Sequence, residues 1–361
     1  MGRAMTAIAA ALGLLLLAGP AEAGDAAAFQ ALVKAAQQEG SVVLDGPPLD
    51  KVREAVTRQF AKTYGITVTY ISSGGPKSAP RIRAERAAER YLLDVFVTGA
   101  DTAIFTVVPS GWVDPIEPAL IDPLATDPAR WRDGHLWFAD PGHEMLRLTA
   151  YVTPVVAVNS KLVKPGEVGR FTDLLDPKWR GKIIAKDPTV TGTSGSLISY
   201  LYLTFGGDYV AKLYKEQKPF ISRNSRQASQ ALANGNYAIW LGADMHETLH
   251  FRQLGYPVAF VFPSDGPRIV SGGWGFVGLM NKAPHPNAAK LLVNWLAGPE
   301  GAATYAKAAE FVSLRTDIDQ DWAEDFTKLK PGETYLDTYD YKFITEQRDA
   351  AFQRVQKLLG L

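Results

Sequence analysis

Apolar positions along the chain switch repeatedly between helical and strand spacing. Over residues 25–39, Phe29, Leu32, Val33 and Ala36 recur with helical period, and Gly40 stands where a helix-ending residue belongs. Residues 41–44 form a short apolar run closed by the turn Asp45-Gly46-Pro47-Pro48. Helical spacing returns over 49–64 through Val52, Val56 and Phe60 and stops at Gly65. Residues 66–71 alternate as a strand does. The loop Ser72-Ser73-Gly74-Gly75-Pro76 leads to a charged helix over 81–90. A strand over 93–97 then runs into Thr98-Gly99-Ala100-Asp101.

The second half continues in the same style. Residues 151–158 read as an apolar strand interrupted by Pro154, and 182–185 as a short strand followed by Asp187-Pro188. The loop Thr191-Gly192-Thr193-Ser194-Gly195 opens an apolar helix over 196–205. Further strands fall at 238–241, 258–262 and 276–280. Residues 287–308 keep helical spacing through Ala289, Leu292, Val293, Leu296 and Tyr305, and 344–359 read as one last amphipathic helix. Strands alternating with helices predict an α/β fold, with a mostly parallel sheet covered on both faces. One such unit would have to hold too many elements, so the pattern predicts two lobes.

The N-terminus adds an address. Arg3 supplies a positive start, residues 7–18 an apolar stretch, and Ala21-Glu22-Ala23 a small-residue cleavage site, the layout of a secretory signal peptide over 1–23. The apolar stretch is shorter than the roughly 20 residues that span a bilayer. An exported protein beginning near Gly24, in the periplasm, is the expectation. Composition narrows the classes further: the 361 residues include 47% hydrophobic ones and 38 Lys+Arg against 38 Asp+Glu. Disorder is excluded by the apolar share, and nucleic-acid binding by the lack of net positive charge. With no Cys, disulfide scaffolds, thiolate metal sites and a Cys nucleophile are excluded as well.

Three polar loops follow apolar strands: Ser72-Ser73-Gly74, Thr98-Gly99 and Thr191-Gly192-Thr193-Ser194. Ligands of open α/β sheets bind beyond the carboxyl ends of the strands. Small hydroxyl and Gly residues there let backbone N–H groups and a helix amino end face an anion. Ordinary helix capping is the alternative use of the same residues. His246-Glu247-Thr248-Leu249-His250 fits the H-E-x-x-H pattern of zinc hydrolases, in which two His one turn apart bind the metal and Glu activates water. Gln253 stands where the longer form of that motif has Gly. Gly192-Thr193-Ser194-Gly195-Ser196 lacks the last Gly of a serine-nucleophile elbow, and there is no P-loop or G-x-G-x-x-G. Trp274, in Ser271-Gly272-Gly273-Trp274-Gly275, is placed either to wall a ligand or to pack in the core.

The order of these elements resembles the extracellular solute-binding proteins of ABC importers, in the group that includes periplasmic ferric-ion-binding proteins. The likeness is carried by GSVV over 40–43, FAKTYGITV over 60–68, RIRAE over 81–85, DVFVT over 94–98 and, most specifically, DLLDPKWRGKI over 173–183 followed by Asp187-Pro188. Late in the chain it continues with PNAAK over 286–290, Trp295-Leu296 and Pro299-Glu300-Gly301. It implies a type II two-lobed clamshell with two hinge-crossing strands. Residues 24–153 plus 271–361 would form the first lobe and 154–270 the second, with the ligand held between them. The group's ferric binders use two adjacent Tyr after the strand at 238–241, where this chain has Gly242-Ala243-Asp244-Met245-His246. Other members take phosphorylated sugars, phosphonates or carboxylates through hydroxyl-rich loops. The expectation is therefore a non-enzymatic receptor without cofactor or structural metal. It would be monomeric and would deliver a small anion to an ABC permease of the inner membrane. Ser72, Ser73, Gly74, Thr98, Thr191, Gly192, Thr193 and Ser194 would donate to the anion. Asp244 and His246 would read its uncharged end, with Trp274 as an apolar wall. Ferric or other metal capture is the alternative within the family, and a zinc hydrolase the alternative outside it.

Overall fold

A computed structural model describes residues 20–361. The signal-peptide expectation for 1–23 lies, except for its last four positions, outside the described residues. Strands β1 (Ser41–Gly46), β2 (Thr67–Ser72), β3 (Val95–Thr98), β4 (Val113–Asp114) and β5 (Met145–Arg147) precede the connecting strand β6 (Tyr151–Thr153). Then come β7 (Val156–Asn159), β8 (Ile183–Lys186), β9 (Phe220–Ser222), β10 (Ile239–Leu241), β11 (Val258–Val261) and the second connecting strand β12 (Arg268–Ser271). The last two strands are β13 (Phe276–Met280) and β14 (Tyr335–Asp337).

These strands build a two-lobed α/β protein. The first sheet has the order β2-β1-β3-β13-β4, with β5 also paired to β13. β1 is parallel to β2 and β3, while β13 runs antiparallel to β3. Its apolar face (Val42, Leu44) packs on Val52, Val56 and Phe60 of the helix Asp50–Tyr64 and on Leu292, Trp295 and Leu296 of the helix Pro286–Ala297. The second sheet has the order β11-β7-β10-β8-β9, with Ile183, Ile239 and Leu241 against Leu197, Tyr200 and Leu201. Burying one such side chain fully contributes about 1.5–3 kcal/mol, so each sheet carries a core of its own.

A three-stranded ribbon, β14-β12-β6, joins the lobes. Pro154 divides the apolar run at 151–158, sending β6 into this ribbon and β7 into the second sheet. In the antiparallel β6–β12 pair, Ser271 lies opposite Tyr151 and Ile269 opposite Thr153. Side chains alternate across a strand, so those four share one face. Val152 and Val270 take the other.

Three expectations need correction. The helical spacing at 287–308 belongs to two helices, Pro286–Ala297 and Pro299–Ala309, because Gly298-Pro299 breaks the chain between them. The helix expected over 81–90 is Gly75–Ala87, which begins inside the Gly-rich loop with Pro76 in its first turn, where a missing N–H costs nothing. The C-terminal stretch does not stay with the first lobe. Phe343 and Ile344 pack against Ile82, Phe96 and Phe276, whereas Phe352 and Val355 of the helix Asp349–Leu359 enter the second core beside Leu197 and Leu201. The chain therefore crosses between the lobes a third time, near Arg348. An amphipathic repeat records that a face is buried without recording which lobe buries it.

Candidate functional site

The segment DLLDPKWRGKI acts as scaffolding for the site. Asp173 accepts from the backbone N–H groups of Gly169 (2.9 Å) and Arg170 (2.8 Å), and Asp176 accepts from that of Lys178 (3.0 Å). These capped turns bury Trp179 in the second core and feed the chain into β8. β8 ends on Lys186, whose ammonium donates to the Thr193 hydroxyl at 3.0 Å. Thr193 begins the helix Thr193–Ala211, and Ser225 begins the helix Ser225–Ala233, capped by Asn224 at 3.0 Å from the Gln227 N–H. Both amino ends border the same space as Lys186. Burial lowers the Lys186 pKa, and the Asp244 carboxylate opposes that shift. A partly desolvated cation beside two helix amino ends, all positive, is an environment that favours an anion.

Lys186, Thr193 and Ser225 stand at the junction of two cavities. The larger, of about 700 Å³, lies between the lobes over the three-stranded ribbon. Tyr151, Thr153, Ile269 and Ser271 face into it from the ribbon. The first lobe adds Leu49, Lys51, Trp274, Glu310 and Phe311. The second adds Val155, Leu197 and residues 242–247. The smaller cavity, of about 170 Å³, is lined by Thr191, Ser194, Ser222, Asn224 and Arg223. Arg223 is already engaged, its Nε donating to Asp187 at 2.6 Å.

Gly242 makes the position of Lys186 possible. It has φ +92°, and a Cβ there would lie 2.7 Å from Lys186 Cγ. Gly242→Ala is expected to destabilise the protein by about 2 kcal/mol, from left-handed backbone strain and overpacking together. It should also weaken solute binding by displacing Lys186. Denaturant titration and calorimetric titration of the same variant check both effects.

Asp244 caps the helix Met245–Gln253, one carboxylate oxygen accepting from the Glu247 N–H at 3.1 Å. Met245 and Leu249 of that helix pack into the first lobe's core. His246 Nδ1 lies 3.6 Å from Glu310, and its Nε2 is buried without a hydrogen-bond partner. The His246 ring and the Lys51 ammonium, the latter 2.7 Å away, hold the Glu310 carboxyl down at about 2 despite its partial burial. A carboxyl depressed in the folded state stabilises the protein above its unfolded value of 4.5, and that contribution disappears as the pH falls from there through about 2. Glu310→Gln should therefore flatten the acid side of a melting-temperature profile over that window. The change should stay below about 1 kcal/mol, because the side chain is half exposed.

The structure brings together only part of the set expected from sequence. Thr193, Asp244, His246 and Trp274 line the main cavity, and Thr191 and Ser194 the smaller one. Gly192 stands at the start of the Thr193 helix with φ +71°, near Asp101 of the opposite lobe. The remaining four are corrected. The Ser73 hydroxyl is taken up by Asp45 (3.3 Å) and Ser78, and Ser72 is exposed. Gly74 serves the positive-φ entry to the Gly75–Ala87 helix. The Thr98 side chain is fully buried under Gly75. Lys186 and Ser225 were missed; the signal for Lys186 is its place at the end of a strand, directly before the Asp187-Pro188 turn. Tyr151, Tyr339 and Ser271 were missed because the ribbon pairing that gathers them is long-range. Burial raises the pKa of both tyrosines, and the neighbouring Ser271 hydroxyl partly opposes that rise. The H-E-x-x-H reading also fails geometrically: His246 is turned to Glu310 and His250 is exposed. Among the described residues no group of three or more His, Asp or Glu is placed to hold a metal.

The family model for bacterial extracellular solute-binding proteins matches residues 21–303. The chain belongs to that family. A Haemophilus influenzae protein of undescribed function is 23% identical over 339 residues, covering 91% of this chain and 93% of its own. The Trichodesmium protein IdiA (FutA), in complex with iron and citrate, superposes with a TM-score of 0.67 at 20% identity, over 88% of this chain and 99% of that one. AfuA of Actinobacillus pleuropneumoniae, a periplasmic binding protein with fructose-6-phosphate bound, gives 0.65 at 20% identity, over 89% and 99%. At such identities these solute-binding proteins share the fold with this one, and their ligands differ from each other.

Proposed function

We propose that this solute-binding protein is an exported receptor that captures a small organic anion (a phosphate ester, phosphonate or carboxylate) between its lobes. It would then deliver the anion to an ABC permease of the inner membrane. The observation that carries the reading is Lys186, partly desolvated, bonded among the described residues only to the Thr193 hydroxyl and set beside the amino ends of two helices. Anion burial relieves the cost of that cation, and hydroxyls of Ser225, Ser196 and Ser271 offer further donors around the cavity. Val155, Leu197, Ile269, Trp274 and Phe311 supply apolar walls for the rest of the molecule. The ribbon, and a core in each lobe that meets the other where Met245 and Leu249 touch the first, support closure as a hinge motion.

Metal capture is the second reading, favoured by the two cleft phenols of Tyr151 and Tyr339. It is the weaker of the two. Burial raises both phenols, so phenolate ligation of a hard ferric ion has to overcome that cost, and no adjacent Tyr pair follows β10. A thermal-shift screen of phosphate esters, phosphonates, carboxylates and Fe³⁺ tests the order. Ligand at 100 times its Kd stabilises by about 2.7 kcal/mol, an easily read shift. A shift with Fe³⁺ and with no anion reverses the two readings.

A further inference from the structure

The charges around the cavity do not describe a plain anion site. Among the described residues that line it, Lys51 and Glu310 pair at 2.7 Å, with His246 against the same carboxylate. Asp50 pairs with Arg53 at 3.0 Å. Lys186, Asp244 and Glu247 remain without an ion-pair partner. Lys186 and Asp244 line the same cavity from the ends of neighbouring elements, and the carboxylate acts on the lysine charge, yet the two form no salt bridge. One Asp244 oxygen caps the Glu247 N–H; the carboxylate has no other hydrogen bond from the described protein. A simple anion bound at Lys186 would therefore meet the Asp244 charge, with that of Glu247 one turn of helix away. Like charges in a closed cleft are costly, and a site so built discriminates against them.

We infer that the solute is zwitterionic, with its anionic group on Lys186, Thr193 and Ser225 and an ammonium group on Asp244. This rests on the anion-receptor reading and adds the second charge to it. A molecule with both groups fills the gap between Lys186 and Asp244 and completes each residue's pairing. Its apolar part lies along Val155, Leu197 and Ile269.

Matched probes separate this inference from the reading beneath it. Calorimetric titrations would compare L-phenylalanine with 3-phenylpropanoate, and O-phosphoethanolamine with ethyl phosphate. Wild type, Asp244→Asn and Lys186→Met would be measured with each pair. Asn is as good a helix cap as Asp, so Asp244→Asn removes the charge while keeping the helix start. The expected result is an amino member that binds at least 10-fold more tightly than its deaminated partner, a preference that Asp244→Asn erases. Equal binding of both members, lost in Lys186→Met, overturns the zwitterion and leaves the anion receptor standing. Binding of neither member of either pair, or binding indifferent to Lys186→Met, overturns both.

Discussion

Lys186→Met is expected to weaken binding of the anionic solute by at least about 30-fold, while the empty protein becomes no less stable. Truncating one partner of a buried, hydrogen-bonded charge pair costs about 2–5 kcal/mol of binding, and about 2 kcal/mol corresponds to roughly 30-fold in Kd. The stability half of the expectation follows from the lysine's lowered pKa. In the empty cleft the charged form is penalised by burial, with only Asp244 opposing that penalty. Methionine keeps the length of the stem packed against Gly242 and removes the penalised charge. Calorimetric titration and thermal unfolding of the same preparation read the two halves. A variant that melts lower but binds normally would make Lys186 a structural residue.

Arg348→Ala is expected to cost about 3 kcal/mol of folding stability. Its side chain is only 5% exposed. The guanidinium pairs with Asp101 of the first lobe and lies 5.3 Å from the Phe105 ring centroid. Its backbone carbonyl accepts from the Ser199 hydroxyl of the second lobe at 2.9 Å. Removing one member of a buried ion pair leaves the other uncompensated. Asp101 retains 35% exposure, which sets the figure at the lower end of the range for such losses. The residue stands at the chain's third crossing, so its loss should also widen the average separation of the lobes, read by small-angle scattering. A cost under about 1 kcal/mol in denaturant titration, with unchanged scattering, would show that this crossing does not restrain the lobes.

The fold was more legible in the sequence than the site was, for physical reasons. β13 was expected at its observed bounds, Phe276–Met280, because its five residues are all buried and flanked by Gly275 and a polar turn. The break at Pro154 was equally plain, since Pro cannot donate within a ladder. Helix fate was harder to read. The Thr193–Ala211 helix runs three residues ahead of and six beyond its apolar stretch, and continues past Gly206, whose φ of +82° kinks it. The site failed where one residue type serves two ends. Ser73 and Thr193 both sit in Ser/Thr/Gly loops after strands, yet Ser73 turns inward to Asp45 and Thr193 opens to Lys186. Only the packing of Arg81 on Asp45, at 2.6 Å, distinguishes a buried polar network from a ligand loop. Tyr151, Ser271 and Tyr339 are separated by more than a hundred residues at the widest, and the β6–β12–β14 ribbon alone brings them together.

A crystal structure of the protein grown with its tightest-binding solute tests the central claim most directly. The prediction is an anionic group whose oxygens lie within hydrogen-bond distance of Lys186 Nζ, the Thr193 hydroxyl and the amino end of the Ser225 helix. A solute seated elsewhere in the cleft with Lys186 still bonded to Thr193 alone, or a ferric ion held by Tyr151 and Tyr339, would contradict it.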